Sequence, residues 1–193
     1  MSAPTLVLVE GESDRLALDA AAARLGAGLG AARIDVLKGI TNLRRRLHEL
    51  RAASAPPRIL GLYDAAEERY VEAVLRDEGV LAATPGRLRG AGAAAEIAAA
   101  GFFGCDRDLE DEVIRAAGST RVIETLAARG EAELFRVFQG QPAQRDRPIE
   151  AQLHRFAGTA SGRKARFAAD VVAALPADRV PPPLRDLIHA LAG

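Results

Sequence analysis

Short apolar runs closed by acidic residues alternate, along the first two-thirds of the chain, with stretches whose apolar positions recur every three or four residues. The run Leu6-Val7-Leu8-Val9 is followed at once by Glu10, Gly11, Glu12, Ser13 and Asp14. Apolar, partly β-branched residues in an unbroken run predict a buried strand over residues 5–9. Gly11 supplies a tight turn, and Ser13 or Asp14 is placed to cap a helix that reaches about Leu25 and stops at Gly26. The pattern returns at Ile59–Tyr63, which leads into Asp64, Glu67 and Glu68 and then a helix through Tyr70, Val71, Val74 and Leu75 that ends at Gly79. It returns again after Phe102-Phe103-Gly104-Cys105, where Asp106, Asp108, Glu110, Asp111 and Glu112 precede a helix opened by Val113 and Ile114.

Between these junctions, Ala32–Leu37 predicts a further strand. Thr41 caps an amphipathic helix with Leu43, Leu47 and Leu50 on one face, and Ala53–Pro57 forms a turn. Val80–Ala83 suits a short strand, and Ala91–Ala100 is too rich in small residues to assign. From Ser119 onward every pattern is helical, with breaks at Gly130, Gln139–Pro148, Gly158–Gly162 and Pro176–Pro183. The alternation predicts an α/β fold in which a parallel sheet with right-handed crossovers carries helices on both faces. Residues 1–118 form that unit, and residues 119–193 form an all-helical region.

Acids in the first turn of a helix suit its dipole, so each junction alone has a plain explanation. Three junctions on the carboxyl edge of one parallel sheet are different, because that edge is where α/β proteins bind ligands. Like charges converging on one crevice repel unless a divalent cation neutralises them. The pattern therefore points to a hard-cation site.

The same residues carry a family resemblance. Glu10-Gly11-Glu12-Ser13-Asp14 after a hydrophobic strand resembles the first motif of the Toprim domain, shared by topoisomerases, DnaG-type primases and OLD-family nucleases. Leu62-Tyr63-Asp64-Ala65-Ala66-Glu67-Glu68 resembles the second motif, in which an Asp-x-Asp pair follows a strand. Asp108-Leu109-Glu110-Asp111-Glu112 is most similar to the OLD-family version of the last core junction, and Gly162-Arg163-Lys164 to the basic element those nucleases place after it. One departure stands out: Ala66 occupies the position of the second Asp, leaving Glu67 or Glu68 to supply the missing oxygen.

The resemblance implies a stand-alone OLD-like nuclease that uses Mg2+ or Mn2+ to hydrolyse phosphodiester bonds in DNA. Any ATPase would be a separate partner. Glu10, Asp14, Asp64, Asp108 and Glu110 would surround the metal, with Glu67 or Glu68 in support; Glu10 would hold metal or act as general acid/base. Two ions in such a site stand about 4 Å apart. Lys164 would stabilise charge on the scissile phosphate. Two alternatives follow from the same residues: a degenerate module, motivated by Ala66, that binds metal or nucleic acid without turnover, and a nucleotide phosphotransferase or phosphohydrolase.

Composition narrows this little further. Twenty-six basic and 26 acidic residues give no net charge, so contact with nucleic acid must come from local patches. Arg44-Arg45-Arg46 reads as a solvated helix face, whereas Arg87 and Arg89 lie in a Pro/Gly-flanked loop better placed to touch a phosphate backbone if that loop borders the acidic crevice. The loop before Lys164 lacks the spacing of a nucleotide-binding loop, and Ala165 stands where the magnesium-binding hydroxyl belongs, so ATP binding is not expected there. The single Cys105 reads as a buried small hydrophobe, and His48, His154 and His189 have no partner at ligand spacing. Tyr63, inside a strand, and Tyr70, on the adjoining helix, suit no strand-transfer role. With no signal pattern and no membrane-length apolar run, the chain reads as cytoplasmic.

Overall fold

The computed structural model describes residues 4–82 and 91–192. The chain runs β1 (Thr5–Val9), α1 (Glu12–Arg24), β2 (Arg33–Val36), α2 (Leu43–Arg51), β3 (Arg58–Asp64), α3 (Glu68–Asp77), α4 (Ala91–Ala99), β4 (Phe102–Cys105) and α5 (Leu109–Ala117). Five helices follow: α6 (Ser119–Ala128), α7 (Ala132–Gln139), α8 (Ile149–Ala157), α9 (Ser161–Ala174) and α10 (Pro182–Ala192). The four strands form one parallel sheet in the order β2-β1-β3-β4. Their carboxyl ends therefore share one edge, and the acidic junctions after β1, β3 and β4 are neighbours on it.

Strand periodicity sorts the core onto two faces. Val7, Val9, Leu60 and Leu62 join α1, α5 and the helices from α6 to α10 in one cluster. Leu6, Leu8, Tyr63 and Phe102 point the other way, against Leu43 and Leu47 of α2, Val71 and Leu75 of α3 and Ile97 of α4. Gly61 lets the sheet close here, because a Cβ on it would stand 2.5 Å from the Phe102 ring. Helix α9 packs along α1 through small side chains, Ala17 and Ala21 on α1 and Ala168 on α9, all fully buried. That contact carries the start of α9 to the carboxyl edge of the sheet.

Several boundaries differ from the sequence expectation. Thr41 does not cap α2: a 3-10 turn, Ile40–Asn42, intervenes and Asn42 takes the cap position. Ser13 does not cap α1 either. That helix starts after Gly11, whose N–H donates to the Asp14 carboxylate at 2.8 Å. No strand forms at residues 80–82, and Ala83 lies outside the described residues; Ala91–Ala99 is helical. Among the described residues, no helix is long and apolar enough to cross a membrane.

Candidate metal centre

Glu10 follows β1 directly, Asp64 is the last residue of β3, and Glu67 closes the 3-10 turn Ala65–Glu67 that leads into α3. One carboxylate oxygen from each lies within 4.8 Å of the other two. The tight 3-10 turn decides which glutamate joins: it brings Glu67 back to the sheet edge, while Glu68 lines a separate cavity of about 580 Å³ with Tyr63, Cys105 and Arg115. Ala66 is exposed on the same turn. Of the two glutamates, Glu67 is the one that stands beside Glu10 and Asp64.

The electrostatics record the crowding. Burial, then the charges of Asp14, Asp108, Glu67 and Glu10, push the Asp64 carboxyl up to about 8. Burial also raises Asp14 to about 6, against the opposing hydrogen bond from Gly11 and with help from Glu110 and Glu10. Glu67 is raised by burial and by its neighbour Glu10, and its Oε2 is buried with no hydrogen-bond partner. A buried carboxylate oxygen without a donor is costly. An all-carboxylate donor set with such an orphaned oxygen fits a hard divalent cation, magnesium or manganese, and fits no soft metal.

Two of the three, Glu10 and Asp64, line a cleft of about 340 Å³ with Asp14, Glu110 and, from α9, Ser161 and Lys164. Glu110 is raised mainly by burial, and the positive charges of His154 and Lys164 act in the opposite direction. Asp108 caps α5, accepting the Asp111 N–H at 2.9 Å. Its two oxygens also lie 2.9 and 2.8 Å from Nε2 of His154, on α8. No histidine has a partner at ligand spacing along the chain; the fold supplies one to His154 from a distance. The two residues are 46 positions apart, so no local spacing announces the pair.

The basic residues separate by role. Arg163 is buried, stacks 3.8 Å over Phe156 and donates to Glu131 at 2.9 Å, which makes it a packing residue. Lys164, one position on, faces the acidic cleft. Arg166 lines a different cavity, of about 170 Å³, among Arg129, Glu131 and Asp170. Arg44 pairs with Asp77, Arg45 with Glu49, and Arg46 with Asp35. Arg87 and Arg89 lie outside the described residues. Glu112 is buried, accepts the Asp106 N–H at 2.9 Å and pairs with Arg115 at 2.7 Å, so it secures the junction after β4.

No family model matches the chain, and no curated protein matches its sequence. Solved structures do. The C-terminal region of the Burkholderia pseudomallei OLD protein is similar over 100% of this chain and 98% of that one, at 18% identity and a TM-score of 0.67. The C-terminal region of the Xanthomonas campestris pv. campestris OLD protein is similar over 97% and 93%, at 21% identity and a TM-score of 0.68. The chain therefore has the Toprim-like α/β fold of OLD C-terminal regions, helical part included.

Proposed function

We propose that the protein is a divalent-metal-dependent nuclease that hydrolyses phosphodiester bonds in DNA. The observation that carries this reading is the clustering of Glu10, Asp64 and Glu67, two of which, Glu10 and Asp64, line one cleft with Lys164, on a fold shared with OLD C-terminal regions. In this reading, residues 1–118 supply the carboxylates and residues 119–193 supply Lys164 and His154. Glu10, Asp64 and Glu67 hold magnesium or manganese, and Asp14, Asp108 and Glu110 complete the acidic surround. The metal, when bound, lowers the pKa of water and neutralises charge on the phosphate. Glu10 also accepts the proton of the attacking water. Lys164 places its ammonium against the scissile phosphate, where charge grows in the transition state. His154 and the Asp111 N–H fix the orientation of Asp108. The reaction belongs in the cytoplasm with its DNA, and any ATP-driven step belongs to a separate partner.

The test is nicking of supercoiled plasmid, and cleavage of single-stranded DNA, in manganese or chelator. Wild type should cut only with metal. Glu10→Gln and Asp64→Asn should each lose at least about a hundredfold in rate, the scale of a deleted acid/base group. Full activity in both variants overturns the reading. A wild type that binds manganese but never cuts DNA makes the chain a non-catalytic module, the outcome Ala66 would favour.

A further inference from the structure

Lysine is scarce in this chain: Lys38 and Lys164 are the only lysines among 26 basic residues. Lys164 faces the acidic cleft. Lys38 stands just past the carboxyl end of β2, and β2 is the neighbour of β1 in the sheet. Both lysines thus reach the carboxyl edge, one from a helix and one from the sheet itself.

The turn that holds Lys38 is bonded into the site on two sides. Leu37 N–H donates to the Val9 carbonyl at 2.9 Å, and Gly39 N–H donates to the Glu10 carbonyl at 3.2 Å. On the far side of the turn, the Tyr70 hydroxyl donates to the Thr41 carbonyl at 3.0 Å. Tyr70 lies one helical turn beyond Glu67. The loop from Lys38 to Thr41 therefore flanks the Glu10–Glu67 pair.

Lys38 also has an unusual backbone. It is the one non-glycine residue with positive φ among the described residues, at 59°. Glycine adopts that conformation with less strain. The Asn42 side-chain amide holds it in place by donating to the carbonyls of Leu37 at 3.0 Å and Lys38 at 3.4 Å. Strained non-glycine residues gather at functional sites, where the side chain has a use the backbone alone does not serve. The Lys38 side chain is exposed and forms no ion pair among the described residues. Arg44, Arg45 and Arg46, which open the next helix, are each paired. A compact, unneutralised ammonium beside an acidic crevice is suited to a phosphate oxygen.

We propose that Lys38 is a substrate-binding residue that contacts a DNA backbone phosphate on the β2 side of the crevice, across from Lys164. The proposal rests on the nuclease reading and deepens it. DNA would then run over the triad between two lysines, one fixed by the sheet and one by α9.

The test uses Lys38→Met, which keeps the apolar stem, and Lys38→Gly, which relieves the backbone; Arg45→Met serves as control. Anisotropy of a fluorescent oligonucleotide in calcium buffer reads binding across a salt series, and plasmid nicking in manganese reads turnover. Both Lys38 variants should bind about three- to tenfold more weakly near 0.1 M salt, with the log–log salt slope smaller by about one. Lys38→Arg should restore most binding. Melting temperature should stay at the wild-type value in Lys38→Met and stay level or rise in Lys38→Gly, with the manganese shift unchanged in both, whereas a turn that depended on the lysine side chain for its structure would melt lower. Lys38→Met with wild-type affinity and slope overturns the proposal even if the enzyme cuts. A wild type that binds DNA in a Lys38-dependent way without cutting it defeats the nuclease reading and leaves the DNA contact standing. A wild type that neither binds nor cuts DNA overturns both.

Discussion

Asp64 shows how much a single carboxylate can report. Its folded-state pKa rises from 3.8 to about 8, first through burial and then through its acidic neighbours. Between those values the folded chain binds more protons than the unfolded one, so metal-free stability falls as pH rises from about 4 to about 8. Asp14 adds to the fall between about 4 and 6. Melting temperature recorded across that range in chelator should therefore decline for wild type. Asp64→Asn should flatten the decline and melt higher than wild type at pH 8, with the gap closing towards pH 4. A variant that melts with the wild-type pH profile would show that Asp64 is not crowded by charge. Glu10 and Asp64 were legible because each directly follows an apolar run. The choice of Glu67 over Glu68 was not, since it depends on a 3-10 turn rather than an α-helical one at residues 65–67. His154 was hidden for another reason: its partner Asp108 lies across the fold, and nothing near His154 in sequence marks it.

At the level of elements, the site depends on strands that keep their register while helices pack closely on both faces. Gly61 is the sensitive point, because β3 carries Asp64 and passes directly over the Phe102 ring. Gly61→Ala should cost about 1–3 kcal/mol through overpacking against a fully enclosed aromatic ring. Denaturant unfolding of the two proteins measures that cost; equal midpoints would mean that β3 and β4 shift apart freely. Strands β1 and β3 were legible almost to the residue, since each is an apolar run bounded by turn residues. Helix α4 was not, because an alanine- and glycine-rich stretch shows no amphipathic period. The start of α2 was displaced for a local reason: the side chain of Asn42 turns back to the Leu37 and Lys38 carbonyls, and Thr41 is left inside a 3-10 turn.

Across the whole molecule, the sheet edge collects acids from three crossovers, and the helical region closes over them from one side. Parallel order alone brings Glu10, Asp64 and Asp108 together, which is why the α/β pattern and the acidic crevice could be read from one another. The long-range docking of α9 on α1 could not be read so directly, because buried alanines carry little signal of their partner. It is this docking that sets Lys164 opposite the carboxylates. The central claim is that the crevice holds a catalytic divalent cation among Glu10, Asp64 and Glu67. Anomalous diffraction from crystals soaked in manganese tests it most directly. A strong anomalous peak is expected within coordination distance of carboxylate oxygens from all three residues, lost in crystals of Asp64→Asn. Well-ordered crevice carboxylates with no anomalous peak between them, at manganese concentrations that saturate any thermal shift, would contradict it.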